Sequence, residues 1–176
     1  VYLGQSSCGI GFETRTLCKK ERLHLSPSVS VDSNPSRSDV LDVNMPNLFS
    51  YPSEGSRNVD AIVNQIIKKM EICDNPSGLG IVADLCSGTG SSLSNAIITD
   101  IKDIAPNLRL QSIFINPPYH TMHGIDIING IMSLQISLEY ADCVMLRGID
   151  DALVLANENR SSSSPSPSLN DALNVI

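Results

Sequence analysis

The stretch IVADLCSGTGSSLSNAI (residues 81–97) decides the fold, because an apolar run breaks into a glycine-rich turn and then resumes with helical spacing. This pattern predicts a buried strand, a turn and a helix. Gly88 and Gly90 would let the backbone approach an anion closely, and the first N–H groups of the helix would point at it. Thr89 and Ser91 add hydroxyl donors. The alternative is a structural turn, in which the glycines only permit the bend and Ser91 only caps the helix.

Strand-like and helical patterns alternate on both sides of this turn. Helical spacing marks the segments Val59–Met70, Leu93–Ile104 and Ile127–Leu138. The strand-like runs are GLGIVADLC, LRLQSIFI and DCVMLRGI. Because such alternation builds right-handed βαβ units, it predicts an α/β domain with a parallel sheet covered by helices on both faces. Ligands bind at the carboxyl ends of the strands in sheets of this kind, and the glycine turn follows a strand there.

The patterning weakens towards both ends of the chain. Residues 26–58 are rich in Ser, Pro and Asn and are predicted to form long loops, with one short strand candidate at Asp39–Met45. The run SSSSPSPS (161–168) predicts a linker or surface insertion, and residues 169–176 have the pattern of a helix start. We therefore expect one domain over residues 1–160. The chain does not begin with Met, which predicts an excerpt or an incomplete product.

Composition excludes several functions. A formal net charge of −7 and the absence of Trp argue against a nucleic-acid binder, which needs basic and stacking surfaces. The five cysteines are odd in number and form no C-x-x-C pair, so neither a disulfide framework nor a zinc site is expected. This cysteine usage instead predicts a reducing cytosolic setting. No apolar run approaches the roughly 20 residues that span a bilayer. His120 and His123 have no third ligand nearby in the sequence, so we predict no metal site made by protein ligands alone.

Two motifs together resemble those of class I SAM-dependent methyltransferases. DLCSGTGS (84–91) is similar to the first motif of that family, and NPPY (Asn116–Tyr119) is similar to its amino-methyltransferase tetrapeptide. Asn116 follows Gly88 by only 28 residues, however, which is room for one helix and one strand. The family pattern places the tetrapeptide after the fourth strand, so this interpretation is kept as the alternative.

A second set of motifs resembles the tubulin superfamily, in the order that this family has them. CSGTGSS (Cys86–Ser92) is similar to its glycine-rich signature loop, and GQSSCGIGFE (Gly4–Glu13) is similar to its opening phosphate loop. The stretch DIINGIMSLQISLEYADCVML (Asp126–Leu146) resembles the family's acidic-x-x-Asn segment with the helix and Asp-Cys that follow. DALN (Asp171–Asn174) resembles the opening of its long central helix. The resemblance implies a Rossmann-like, three-layer GTPase domain that is divergent and shortened, without some elements and the second domain.

The resemblance also implies roles for single positions. Gln5 would lie near the phosphates of GTP, and Gly88–Ser91 would wrap the β- and γ-phosphates. Asp126 would meet the ribose with Asn129 beside it, since a carboxylate suits ribose hydroxyls. Asn174 would contact the guanine edge, which matches the donor and acceptor of an amide.

Departures from the family pattern predict an impaired nucleotide site. Ser87 and Ser92 stand where the family has glycine, and Met45 stands where it has an acidic residue that helps to hold Mg²⁺. A thioether is a poor partner for this hard cation. The base-contacting Asn of the family aligns with Ile149 or Asp150. The acidic residue that activates water in the family comes from a second domain, so we name no catalytic residue.

The resemblance thus implies a GTP-binding cytoskeletal subunit or a microtubule- or centriole-associated module, with tubulin subunits or centriole proteins as partners. The segment Cys73–Gly78 favours a delta-tubulin-like chain, and the Ser-rich insertion favours an epsilon-like one. Both assignments stay open at this point, as does a degenerate fold that binds no nucleotide and works through protein contacts.

Overall fold

One parallel sheet organises the chain. The computed structural model describes residues 1–21, 27–32, 41–42 and 54–158. Within these residues six strands pair in parallel, in the order β3-β2-β1-β4-β5-β6. The strands are β1 (Tyr2–Leu3), β2 (Ser30–Asp32), β3 (Leu41–Asp42), β4 (Gly78–Asp84), β5 (Arg109–Asn116) and β6 (Cys143–Gly148). The order reverses between β1 and β4, as it does in doubly wound α/β sheets.

Helices follow the strands in the predicted alternation. They are α1 (Gln5–Lys20), α2 (Glu54–Glu71), α3 (Gly88–Ile104), α4 (Gly124–Tyr140) and α5 (Ile149–Glu158), with a short 3-10 turn at Tyr119–Thr121. The region 26–58, which the composition predicts to be loop-rich, contains β2 and β3 and the start of α2. β3 lies inside the strand candidate Asp39–Met45.

Side chains of β5 alternate between two apolar cores. Leu110 and Phe114 join the larger core, to which α2 and α3 contribute. Ile115 joins a smaller core that contains Ile149 of α5 and is flanked by Ile10 of α1. The sheet is therefore covered on both faces, and the predicted three-layer α/β fold is confirmed. Full burial of one such side chain stabilises the fold by about 1.5–3 kcal/mol.

The helix α4 presents an unexpected side to the protein. Its spacing of Ile127, Ile131 and Leu138 predicts the helix correctly, yet these side chains are 48%, 60% and 70% exposed. The buried residues of α4 are small or polar instead; we call them the small-residue side of α4, namely Asn129, Gly130, Ser133 and Ser137. Ser133 Oγ donates to the Ser91 carbonyl oxygen of α3 at 3.2 Å, so this side brings the two helices close together.

Candidate functional site

The candidate site lies at the carboxyl edge of the sheet, where the strand order reverses between β1 and β4. The chain leaves β1 and enters α1 through Gly4, and it leaves β4 and enters α3 through the glycine turn. Gly4 has a φ of 95°, a conformation that glycine adopts without strain. The amino termini of α1 and α3 therefore meet at the crevice where sheets of this kind bind their ligands.

Ser87 and Gly90 shape the turn before α3. Ser87 is the N-cap residue, and its Oγ accepts the N–H of Gly90 at 2.9 Å. A Cβ at Gly90 would collide with the carbonyl oxygen of Asp84 and would lie 2.8 Å from the Asp84 nitrogen. Only a residue without a side chain lets α3 start this close to the end of β4. The glycine thus has a packing reason that holds with or without a ligand.

Two hydroxyl groups of the turn, those of Ser91 and Ser92, are directed towards their own helix. Ser91 Oγ donates to the Ser87 carbonyl oxygen at 2.6 Å, and Ser92 Oγ donates to the Gly88 carbonyl oxygen. Thr89 is buried as well, with 8% of its surface exposed. In this conformation the Ser91 hydroxyl donates its hydrogen bond within the helix. Its contact with a phosphate stays a prediction.

Asp84 is a residue of the candidate site that sequence reasoning missed. Its Oδ1 accepts the N–H of Ser7 at 3.0 Å and the Ser7 hydroxyl at 2.7 Å, and its Oδ2 accepts the N–H of Ser6 at 3.2 Å. A Cβ at Gly4 would lie 2.6 Å from Oδ2. The carboxylate therefore lies directly on the amino terminus of α1, where the helix dipole favours an anion. The available signal was a single acidic residue that ends a buried strand run.

A second polar group lies where α3 and α4 begin. Asn129 is buried and donates from Nδ2 to the Cys86 carbonyl oxygen at 3.4 Å, and Cys86 Sγ donates to Asn116 Oδ1 at 3.6 Å. Burial, and after it the negative charge of Asp126, raises the pKa of Cys86 from 9.0 to about 11. Cys86 is thus a protonated packing thiol rather than a nucleophile at neutral pH.

Asp126 Oδ2 accepts the N–H of His123 at 2.7 Å and so caps its own helix.

The sheet brings most of the predicted nucleotide residues to one edge. Gln5 begins α1, Gly88–Ser91 begin α3, and both Asp126 and Asn129 lie in the first two turns of α4. All three helices start at the carboxyl ends of neighbouring strands in the central part of the sheet. Asn174 lies outside the described residues. The nucleotide contacts of these residues remain predictions.

Ile149 and Asp150, which align with the family's base-contacting Asn, lie at the start of α5. Ile149 is buried in the smaller core, and Asp150 Oδ2 accepts the N–H of Tyr119 at 3.1 Å. Neither side chain offers the amide that the family uses at this position.

The described residues contain neither a cluster of metal ligands nor a helix that could span a membrane. In the part of the chain that the structure describes, no three His, Cys, Asp or Glu side chains are grouped as metal ligands. None of the described helices combines the length and the hydropathy needed to cross a membrane. Met45, the position linked to Mg²⁺, lies outside the described residues.

A groove lies at the opposite edge of the sheet, lined by Val29, Ile66, Met70 and Pro76 among others. It faces the amino end of β4, which begins at Gly78. Ligands of open parallel sheets bind outside the carboxyl ends of the strands, so this groove is not the expected site.

The sheet order, with the glycine turn and helix amino termini at the switch point where that order reverses, defines a doubly wound α/β domain. The chain belongs to the Tubulin/FtsZ family: the model of that family's GTPase domain matches residues 43–149. The predicted relationship to the tubulin superfamily is confirmed, and the methyltransferase alternative is not favoured.

Curated relatives agree with this assignment. The chain is 31% identical to the tubulin delta chain of Homo sapiens over 104 residues, which are 58% of this chain and 22% of the relative. It is 28% identical to the tubulin gamma chain of Saccharomyces cerevisiae over 101 residues, which are 57% and 21% of the two chains. It is 27% identical to the tubulin beta-6 chain of Gossypium hirsutum over 96 residues, which are 53% of this chain and 21% of the relative. The matched part of the chain thus spans about a fifth of the length of these relatives.

Proposed function

We propose that this chain is a tubulin-like GTP-binding module of the cytoskeleton whose nucleotide site is weakened. The observation that carries the proposal is the position of the glycine turn. It lies within the family match, and it sits at the switch point of a parallel sheet with the first turn of α3 behind it. Helix amino termini at such a point bind phosphate groups.

The proposed contacts follow the family pattern. Gln5 and Gly88–Ser91 contact the phosphates, Asp126 and Asn129 lie at the ribose, and Asn174 contacts the guanine. Two features weaken the site. Ser87 stands in place of a glycine, and the Ser91 hydroxyl must leave the Ser87 carbonyl oxygen before it can contact a phosphate.

We propose further that the module assembles with tubulin subunits or centriole proteins in the cytoplasm. The names of its relatives, tubulin delta, gamma and beta chains, support this class of partner. Sedimentation of the purified chain with assembled microtubules tests it. Saturable co-sedimentation is expected, and a chain that stays in the supernatant at all microtubule concentrations argues against the partner.

Nucleotide binding is tested by titrating the purified chain with a fluorescent GTP analogue, with and without Mg²⁺. Saturable binding is expected, which unlabelled GTP displaces and ATP and SAM do not. Saturable SAM binding without a GTP signal would overturn the proposal.

Thr89→Ala removes one hydroxyl from the turn. It distinguishes a turn that binds GTP from a turn that has kept the sequence motif without binding nucleotide. It should weaken GTP binding by about fivefold, the value of one hydrogen bond. Thr99→Ala is the matched control, because Thr99 lies on the same helix and its hydroxyl donates to the Asn95 carbonyl oxygen of that helix at 2.9 Å. Equal GTP affinity in both variants, with intact folding, would favour a protein-interaction fold.

A further inference from the structure

The amino terminus of α1 already holds an anion that belongs to the protein. Asp84 supplies both carboxylate oxygens to this helix end, through the N–H groups of Ser6 and Ser7 and the Ser7 hydroxyl. Hydrogen bonds between a carboxylate and backbone N–H groups are among the strong ones in proteins. The donors that a phosphate group would use at this helix are therefore engaged.

The origin of this cap is unusual within the described residues. The amino terminus of α3 is capped by Ser87 directly before it, and that of α4 by Asp126 in its own first turn. The amino terminus of α1 instead receives its cap from the end of β4, 77 and 78 positions further along the chain. The local N-cap residue is Gly4, which has no side chain and could not carry one beside the carboxylate.

This arrangement disfavours a phosphate chain at the start of α1. The carboxylate lies at the start of α1, where a Cβ added to Gly4 would fall 2.6 Å from Oδ2, and the backbone of the same residue lies against the start of α3, where a Cβ added to Gly90 would fall 2.8 Å from the Asp84 nitrogen. A phosphate placed there would meet a like charge at short range in a partly buried site, where such repulsion is poorly screened.

We propose that Asp84 is a specificity-determining residue, a built-in anion that weakens the contacts of the phosphate end of a nucleotide at the start of α1, where Gln5 lies. The proposal rests on the proposed function, because it concerns the same site. It assigns the charge of Asp84 a selective role: the site binds the nucleoside part of its ligand with little penalty and discriminates against the phosphate groups.

The test measures GTP and guanosine binding by calorimetry for the full chain and for Asp84→Asn. The amide keeps the shape of the side chain and an acceptor for the α1 amides but loses the charge. GTP affinity should rise by about tenfold or more, while guanosine affinity should change less than about twofold. Asp103→Asn is the control: it makes the same charge change in the last turn of α3, at the other edge of the sheet, and should leave both affinities unchanged.

The outcomes separate the two proposals. If neither protein binds GTP or guanosine, the nucleotide function fails and the role of Asp84 fails with it. If the wild type binds and Asp84→Asn gains no preference for GTP over guanosine, only the role of Asp84 is overturned. Circular dichroism checks the fold, and Asp84→Ser serves as a second uncharged variant. Loss of folding in both, with Asp103→Asn intact, makes Asp84 a structural cap and also overturns the proposal.

Discussion

Replacing Gly90 with Ala tests the close approach of α3 to β4, on which the geometry of the turn depends. The new Cβ would meet the carbonyl oxygen of Asp84, and it would lie 2.8 Å from both the Asp84 nitrogen and Ser87 Oγ. The two Asp84 atoms belong to the backbone of a central strand, so they cannot rotate away. The helix itself must move by several tenths of an ångström.

The expected cost combines three effects. Overpacking costs about 1–3 kcal/mol, and the rigid strand places this case near the upper value. Disturbing the Ser87 cap costs about 1 kcal/mol, whereas the better helix propensity of Ala returns up to about 1 kcal/mol. We therefore expect Gly90→Ala to lower the free energy of unfolding by about 3 kcal/mol. For a chain of this size the melting temperature should fall by about 6–12 °C.

The assay is urea denaturation followed by circular dichroism, with the slope of each transition compared so that a change in stability is separated from a change in compactness. Gly124→Ala is the matched control, because Gly124 begins α4 and a Cβ there has no atom within 4 Å. This control should be neutral or more stable by up to about 1 kcal/mol. If Gly90→Ala is as stable as Gly124→Ala, the close packing at the turn is refuted.

Further predictions concern three side chains, those of Cys86, Asp142 and Ser137. Cys86, with its pKa raised to about 11, should resist iodoacetamide at pH 8 while the exposed Cys143 reacts, as peptide mass spectrometry would report; comparable rates would contradict this. Because the folded state favours the protonated Cys86 thiol, stability should also fall as the pH rises from 9 to 11, and Cys86→Ala should remove that dependence. The pKa of Asp142 is lowered, first by the Leu110 N–H at 2.7 Å, so its contribution to stability is present above pH 3.8 and lost as the pH falls further. The stability of Asp142→Asn should accordingly fall less steeply with decreasing pH than that of the wild type. An identical acid-unfolding profile for the two proteins would count against this contact. Ser137 Oγ is buried without a partner among the described residues, so Ser137→Ala should raise stability by up to about 1 kcal/mol and Ser137→Leu should lower it by about 2 kcal/mol in thermal melts.

Regular periodicity made the central fold predictable from the sequence. β4, α3 and β5 are long, and each buries one continuous apolar face or run, so the strand–turn–helix unit around Gly88 follows from local spacing alone. β2 is only three residues long, and an alternation cannot be detected over so few positions. Such a strand is defined by its pairing with β1 and not by its own residues.

The site was less predictable because its decisive contacts are not local. Spacing reports that α4 is a helix, but not which side faces the protein; here the side with Ser133 is buried and the side with Ile131 is exposed. The contact between Asp84 and Ser7 joins positions 77 residues apart, and no short motif carries it. The glycine turn could be located from the sequence. The Asp84 carboxylate at the amino terminus of α1 could not, because its position depends on the pairing of β1 with β4.

The small-residue side of α4 has a consequence for how this chain can change over evolutionary time. Ser133 and Ser137 are fully buried, and a Cβ at Gly130 would lie 3.2 Å from Cys86 Sγ, so larger residues would force α3 and α4 apart. A lineage that loses nucleotide binding is released from the proposed phosphate contacts of Thr89 and Ser91, but not from the packing of Gly90 or from this helix contact. Distant descendants would therefore keep Gly90 and the spacing of small residues on α4 after the other residues of the phosphate motif have changed, and these packing positions become the more durable mark of kinship.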